Sequence, residues 1–397
     1  MDGTALLYTG ITILVIVGFL QSMAGLQIWL ERKISASLQD RKGPNRVGPF
    51  GLIQPVADGL KFIFKEEMLP AHADKLLYVL APCIAMATAT LAFAVVPFGD
   101  TNMPSVGQEH AYQFVIAPKV DIGIVFVFAV SSITVYAIIL SGWSSNNKYS
   151  FIGGLRSSAQ IVSYEIPMGM SILGVVVLSG SLNLERIIER QVHPEHSAWW
   201  LWNAVRQPLA FLIFLVSAFA ECNRLPFDLP EAEQELVGGY HTEYSALKFG
   251  MFYLGEYTHM VTTSFLMAIL FFGGWHFPLL AEPWSPWFLK VLVFALKMGA
   301  FIFLYMLIRW TIPRFRFDQL MGLAWKVLIP MAMVYLLCVM GVVELDKQLG
   351  WTASAWLLLP ASAAILVGTA AIGLRMPQPP LKRTPLGDGR AAELNTV

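Results

Sequence analysis

The chain has 397 residues, of which 56% are hydrophobic and only 14% are charged, and its formal net charge is zero. This composition excludes a soluble globular enzyme and argues against a nucleic-acid-binding protein, and it is typical of a polytopic membrane protein. The cysteines, Cys83, Cys222 and Cys338, have no paired spacing, so they predict neither a disulfide framework nor a protein-bound metal cluster.

Nine apolar runs are long enough to cross a bilayer. They occupy residues 6–30, 76–97, 117–140, 159–179, 207–221, 251–274, 288–308, 324–343 and 353–374. The sequence therefore predicts an all-α polytopic membrane protein with a single transmembrane domain over residues 1–374. Residues 375–397 are rich in Pro, Gly and charge, so they are predicted to form a disordered tail.

Basic residues are distributed unevenly between the loops. If the N-terminus lies outside, 20 of the 27 Lys and Arg residues fall in segments on the cytoplasmic side and 6 on the outer side. The positive-inside rule therefore predicts an outer N-terminus and a cytoplasmic C-terminus. The same orientation places every loop that carries a motif on the cytoplasmic face.

The first cytoplasmic loop combines basic side chains with a Gly- and Pro-rich backbone. It begins at Glu31-Arg32-Lys33, and residues 41–49 read Arg-Lys-Gly-Pro-Asn-Arg-Val-Gly-Pro. Gly and Pro specify an irregular backbone, so the arginines of this loop suit a polar head group whose tail lies in lipid. A simple positive-inside anchor is the alternative for Lys33 and Lys42.

Residues 52–66 place apolar side chains near helical spacing, while Asp58, Lys61 and Lys65 share the opposite face. This pattern predicts an amphipathic helix that lies along the membrane or the protein surface.

A dense acidic segment follows the short fifth run. Five acids lie between residues 221 and 235: Glu221, Asp228, Glu231, Glu233 and Glu235. Ionisable groups at such a position are costly in a membrane and indicate a function. These acids can accept protons or, alternatively, hold a divalent cation; we favour the proton role.

Two further carboxylates lie within apolar runs. Glu165 is placed about 1.5 turns into the fourth run and Glu256 early in the sixth. With Glu221 they are predicted to share one depth in the cytoplasmic half of the bilayer. Such a row of carboxylates can relay protons. Alternatively, a nearby Lys or Arg neutralises each of them, and each only holds helices together.

Two basic features are open to more than one interpretation. Lys297 lies in the middle of the seventh run, where it can extend a charged path or form a structural ion pair. The segment 309–320 alternates arginines with aromatic residues and contains Asp318. This segment predicts either a docking surface or an internally paired loop.

These motifs resemble those of the family of H-type membrane subunits of proton-pumping NADH:quinone oxidoreductase, respiratory complex I. The resemblance covers roughly residues 10–343. The segments that carry it are Glu31-Arg32-Lys33, Arg41-Lys42-Gly43-Pro44-Asn45, Gly48-Pro49, residues 145–150, Leu155-Arg156, Ser163-Tyr164-Glu165, Ala220-Glu221, Asn223-Arg224, Pro226-Phe227-Asp228, Glu235-Leu236, Glu243-Tyr244, Glu256-Tyr257 and residues 313–316.

The resemblance implies an eight-helix core, to which the run 353–374 adds a ninth helix. It also implies ubiquinone or menaquinone as the substrate, with FMN and iron–sulfur clusters on partner subunits only. The implied partners are hydrophilic quinone-site subunits, neighbouring membrane subunits and lipids, in the cytoplasmic membrane of a bacterium.

The resemblance further implies two groups of site residues. The quinone-chamber residues are Arg32, Arg41, Arg46, Asp58 and Lys61, and the proton-path residues are Glu165, Glu221, Glu231, Glu233, Glu235 and Glu256. His259, one turn beyond Glu256, stands where the family pattern predicts an amide such as Asn. It can tune Glu256 or simply pack against its neighbours.

Two other classes of protein remain as alternatives. Membrane subunits of energy-converting hydrogenases, or of related complexes that lack quinone, share several of the motifs, and the arginines and Gly-Pro pairs of the first loop argue against them. A stand-alone proton or cation transporter is less consistent with the sequence, because the chain has no internal repeat.

Overall fold

The computed structural model describes residues 3–98, 115–117, 120–192, 199–228, 237–278, 280–282, 285–349 and 354–375. Within these residues the regular elements are helices, which confirms the predicted all-α class. They are α1 (Gly3–Leu38), α2 (Gln54–Phe64), α3 (Lys75–Leu91), α4 (Gly123–Ser144), α5 (Lys148–Ser179), α6 (Leu184–Glu189), α7 (Asn203–Arg206), α8 (Pro208–Glu221), α9 (Ala246–Phe271), α10 (Trp287–Thr311), α11 (Phe317–Gly322), α12 (Ile329–Leu349) and α13 (Leu358–Arg375).

Several of these helices have the length and apolar composition of membrane spans. Among the described residues six stretches qualify: Thr9–Leu38, Lys75–Val95, Gly123–Ser144, Lys148–Ser179, Trp287–Thr311 and Phe317–Gln348. Two shorter apolar helices cover Pro208–Glu221 and Leu358–Ala371. The chain is therefore a multi-pass membrane protein. The predicted tail lies outside the described residues, except for Arg375.

Helix α9 covers the sixth predicted run but is not among the stretches that qualify as membrane spans. Glu256, His259 and several threonines lower its hydropathy. It packs against α1, α3 and α10, and almost all side chains from Tyr257 to Phe271 are buried. Polar residues are tolerated at membrane depth where they face protein rather than lipid, so α9 is an interior helix.

Helix α5 begins at Lys148, eleven residues before the predicted start at 159. The side chain of Asn147 accepts a hydrogen bond from the backbone N–H of Tyr149 and caps the helix. Small and polar residues of the added turns, including Ser150 and Gly154, are buried against the protein. Glu165 therefore lies about five turns into its helix, and the position predicted for it from the apolar run is wrong.

Helix α1 continues to Leu38, so Glu31 and Arg32 lie on a helix rather than in the loop predicted to begin there. Glu31 is buried and Arg32 is exposed. One end of α1 thus directs adjacent charged side chains to opposite environments. Both charged residues can lie on the helix because Glu31 is neutralised inside the protein and Arg32 reaches solvent.

The bundle is organised around α5 and α9. Helix α5 packs against α4, α8 and α12, while α3 bridges α4 and α9. Helix α2 lies across α1 and α9 and has no buried residue, as expected for the predicted amphipathic surface helix. Helix α13 packs on α12 and α8. This arrangement brings the ends of α1, α8 and α9 together beside α2.

Candidate functional site

A small cavity lies between α3, α4, α5, α8 and α9. Its volume is ≈ 40 Å³, and the carboxylates of Glu221 and Glu256 line it together with the imidazole of His259. A water molecule needs roughly 10–15 Å³ of such space, so the cavity has room for about three waters. The structure therefore brings two of the carboxylates predicted from the sequence to one cavity that is large enough for water.

Glu221 contacts His259 at the wall of this cavity. Its Oε1 lies 3.1 Å from Nε2 of His259, so the last residue of α8 is joined to α9. Glu221 is buried, and its Oε2 has no hydrogen-bond partner in the described part of the chain. A buried carboxylate oxygen needs a donor, and a cavity water can supply one.

The other two predicted membrane carboxylates, Glu165 and Glu256, each accept a hydrogen bond from a hydroxyl group. The hydroxyl of Tyr240 donates to Oε1 of Glu256 at 2.8 Å. The hydroxyl of Ser132 donates to Glu165, which also interacts electrostatically with Glu221 and His259. A hydroxyl can stabilise a carboxylate without neutralising its charge, so proton exchange remains possible at each of them.

A second charged cluster lies next to the cavity and is centred on Glu31. The hydroxyl of Tyr257 donates to Oε2 of Glu31 at 2.6 Å. Arg224 approaches Oε1 at 3.6 Å, and Arg309 forms an ion pair with the same oxygen. The Arg224 guanidinium also lies 4.3 Å from the centre of the Tyr257 ring. The cluster joins α1, α9, α10 and the loop that follows α8.

At the surface, Arg32 and Asp58 form a pair that joins α1 to α2. Nη1 of Arg32 lies 2.5 Å from Oδ2 of Asp58. The side-chain amide of Gln54 donates to the other oxygen of Asp58 at 3.1 Å. Two of the predicted quinone-chamber residues are thus in direct contact, and both oxygens of Asp58 are bound.

The Gly- and Pro-rich loop between these helices has the irregular backbone that its composition predicts. Gly51 has a φ of +80°, and a Cβ there would lie 2.3 Å from the carbonyl oxygen of Pro44. Only glycine can combine this conformation with so close an approach. The loop therefore returns tightly to the start of α2.

The remaining quinone-chamber candidates are not brought into this pair. The ammonium of Lys61 lies 4.8 Å from the centre of the Phe62 ring, on exposed α2. Nε of Arg41 donates to Oε1 of Gln39 within its own turn, and Arg46 is exposed. The proton-path candidates Glu231, Glu233 and Glu235 lie outside the described residues.

The polypeptide connects the surface pair, the Glu31 cluster and the cavity through neighbouring residues. Arg32 pairs at the surface, and the adjacent Glu31 centres the buried cluster. Tyr257 contacts Glu31, and the adjacent Glu256 lines the cavity. The surface pair, the Glu31 cluster and the cavity are therefore built from residues that are adjacent in sequence, on α1 and on α9.

Sequence reasoning assigned no site role to Glu31, Tyr257 or Arg224. Each lies next to or near an assigned residue: Glu31 before Arg32, Tyr257 after Glu256, and Arg224 three residues after Glu221. For Glu31 and Arg224 the available signal was a charged residue close to the end of an apolar run; Tyr257 gave no such signal. Their partners are far apart in the chain, so the sequence could not specify their pairing.

The arginine-rich segment that follows α10 is an internally paired loop. Nη2 of Arg314 lies 3.1 Å from Oδ2 of Asp228. The ring of Phe315 lies 5.7 Å from that of Phe227. Together with the contact between Arg309 and Glu31, these interactions hold the loop that follows α8 against the end of α10.

Within the described part of the chain, Lys297 binds backbone carbonyls rather than an acidic side chain. Its Nζ donates to the backbone carbonyls of Phe272, Gly274 and His276 at 2.6, 2.9 and 2.6 Å. It also lies 4.6 Å from the centre of the Trp202 ring. The ammonium thus caps the carbonyl end of α9, where a cation is favoured by the helix dipole.

The segment that carries Tyr240 is packed by aromatic rings. Tyr244 stacks on Tyr78 with the ring centres 4.1 Å apart, and burial raises the pKa of Tyr244 to about 12. His241 packs against Phe249 at 5.3 Å, and burial lowers the pKa of His241 to about 4. This packed loop fixes the position of the Tyr240 hydroxyl that binds Glu256.

Comparison with known proteins shows where this arrangement belongs. Residues 11–340 match the model of a family described as NADH dehydrogenase. An H-type subunit of NADH-quinone oxidoreductase from Cytophaga hutchinsonii is 49% identical over 77% of this chain and 88% of its own. An H-type subunit of the same enzyme from Koribacter versatilis is 48% identical over 82% of this chain and 94% of its own. The NADH-quinone oxidoreductase subunit 8 from Rhodothermus marinus is 45% identical over 83% of this chain and 95% of its own.

Proposed function

The chain belongs to the NADH dehydrogenase family, and from this premise we propose that it is the H-type membrane subunit of an NADH-quinone oxidoreductase. It helps to form the quinone chamber and couples quinone reduction to proton translocation through buried carboxylates. The relatives named above match this chain over nearly their whole length. The chain works as part of an enzyme complex, and its residues provide no redox centre of their own.

The observation that carries this proposal is that neighbouring residues of α1 and α9 form, in order, the surface set Arg32–Asp58, the buried Glu31 cluster and the cavity with Glu256. Quinone reduction consumes two electrons and two protons for each quinol formed, so the site must draw protons from its surroundings. Asp58 and Arg32 lie at the accessible end of the set, where Arg can donate to a quinone carbonyl. Glu221 and Glu256 lie at the buried end, on the water-sized cavity.

The cavity is too small for a quinone ring, which supports a division of roles. The quinone head group is proposed to bind near the surface pair and the Gly- and Pro-rich loop. Protons are proposed to move between Glu165, Glu221 and Glu256 through Tyr240 and cavity water. The acids Glu231, Glu233 and Glu235 follow Glu221 in sequence and are proposed to extend this path.

The exposed apolar face of α2 supports a partner or lipid interface at the same end of the bundle. Val56, Leu60, Ile63 and Phe64 are at least half exposed. An apolar face of this size is typical of an interaction site. We propose that hydrophilic quinone-site subunits and lipid head groups cover it on the cytoplasmic side, with other membrane subunits beside the bundle.

The test of the proton role uses three substitutions, Glu165→Gln, Glu221→Gln and Glu256→Gln. Glutamine keeps the shape of the side chain but cannot exchange a proton. NADH-driven proton uptake into inverted vesicles and NADH:quinone turnover should both fall, while NADH oxidation with a dye acceptor stays normal. Glu344→Gln, an exposed carboxylate on α12, is the matched control and should behave as the unchanged chain. Normal pumping per NADH at normal turnover in all three variants would contradict the proposal.

A further inference from the structure

His259 is the basic residue of a cavity that is otherwise lined by acidic and neutral side chains. Among the cavity-lining residues that the structure describes there is no Lys or Arg. The groups that face His259 are Glu221 from α8, Glu165 from α5, Tyr240 from the loop before α9, and Glu256 on its own helix. Among the described lining residues, the imidazole is therefore the group that can carry a positive charge.

We propose that His259 is itself a proton-carrying residue, which passes protons between Glu221 and the cavity water that reaches Glu256. The inference rests on the proposed function, because it adds a member to that proton path. Its basis is geometric: Nε2 of His259 is in hydrogen-bonding distance of Glu221, at 3.1 Å, and the same side chain lines the cavity with Glu256.

The proposed step conserves protons and charge. The Nε2–H of the imidazolium donates to the carboxylate of Glu221 and transfers its proton to Oε1. This leaves a neutral imidazole and a carboxylic acid. The ring then turns its free Nε2 towards the cavity, where a water protonates it and takes up the proton that Glu256 releases, so one proton has moved from Glu256 to Glu221.

An imidazole differs from the other side chains that can occupy such a position. An amide hydrogen-bonds to Glu221 but cannot carry the proton. An arginine keeps the positive charge but does not release it, since guanidinium stays protonated in proteins. Histidine changes its charge within the physiological pH range. Both substitutions therefore separate proton carriage from a structural ion pair between α8 and α9.

The experiment compares His259→Gln and His259→Arg in the whole complex in inverted membrane vesicles. NADH:quinone turnover and proton uptake per NADH are measured and normalised to NADH:dye activity. In both variants turnover and proton uptake should fall several-fold, while NADH:dye activity stays normal. Glutamine resembles the amide predicted for this position in the family, so the variant is expected to assemble.

The matched control is Lys248→Gln. Lys248 lies on α9, as His259 does, but away from the cavity, and the change removes its ion pair with Glu67. It should keep both turnover and proton uptake. Two results would overturn the inference: a His259→Gln variant with normal turnover and proton uptake, or a His259→Arg variant with normal turnover and proton uptake. If the carboxylate variants impair pumping while His259→Gln does not, the inference fails and the proposed function stands. If His259→Gln and all three variants Glu165→Gln, Glu221→Gln and Glu256→Gln pump normally, both fail.

Discussion

The guanidinium of Arg32 lies 2.5 Å from the carboxylate of Asp58, and this contact is the bridge between the end of α1 and the surface helix α2. Arg32 is 47% exposed. Ion pairs of this exposure contribute only about 0.2–1 kcal/mol to stability. The pair is therefore better suited to positioning a polar ligand than to stabilising the fold.

We predict that Arg32→Ala and Asp58→Ala each lower quinone reduction while leaving assembly close to normal. The double variant should be no worse than the more impaired single variant, because either change breaks the same contact. The measurement is quinone-reductase rate relative to NADH:dye oxidation in assembled membranes. Lys33→Ala, at the next position of α1, is the control. Losses that simply add, or equal losses in both assays, would show that the two residues act as separate assembly anchors.

We predict that the stability of the loop that carries His241 depends on pH. Burial lowers the pKa of His241 from 6.5 to about 4, so the folded loop holds the neutral imidazole. The unfolded segment binds a proton at a higher pH than the folded one. The stability that this burial confers is therefore complete above pH 6.5 and is lost as the pH falls from 6.5 towards 4. The total effect is about 3 kcal/mol.

The measurement is hydrogen–deuterium exchange of the backbone amides in residues 237–245. Exchange, corrected for its intrinsic pH dependence, should become faster as the pH falls through that window. His241→Gln should remove this dependence, since glutamine does not titrate. A loop whose corrected protection does not change with pH in the unchanged chain would contradict the assignment.

The sequence predicted the helical class and the apolar runs because hydrophobic length is a local property. It misplaced the start of α5, since buried Ser and Gly residues look polar in the sequence but face other helices. It placed Glu165, Glu221 and Glu256 in one region through their depth in the bilayer. The contact between Glu31 and Tyr257 joins residues 226 positions apart, and only the packing of α1 on α9 creates it.

Lys297→Met should destabilise the subunit without uncoupling it. The change removes a charged donor from the carbonyls of Phe272, Gly274 and His276 and leaves them buried near the end of α9. Hydrogen bonds to charged groups contribute about 1.5–3 kcal/mol each and are not additive, so we expect a total loss of about 3 kcal/mol. Thermal denaturation of the purified complex, with Lys347→Met as an exposed control, measures the effect. A selective loss of pumping at unchanged stability would instead return Lys297 to the charged path.

Two substitutions in the Glu31 cluster should lower the stability of the protein by different amounts. Glu31→Gln removes the anion that Arg224 and Arg309 share, and it leaves two guanidinium groups without their common carboxylate. Breaking a buried ion pair in this way costs about 3–5 kcal/mol. Tyr257→Phe removes one hydroxyl from the same carboxylate and should cost about 1 kcal/mol.

The amount of assembled complex should therefore fall sharply in Glu31→Gln and little in Tyr257→Phe. Quinone turnover per assembled complex should nevertheless fall in Tyr257→Phe. The Tyr257 hydroxyl joins Glu31 to α9, the helix whose Glu256 lines the cavity, and so lies between the surface pair and the cavity. Native gel quantification and the quinone-to-dye rate ratio separate the two effects. A Tyr257→Phe complex with normal turnover would mean that protons do not need this hydroxyl, and that the Glu31 cluster serves only to lock α1, α9 and α10 together.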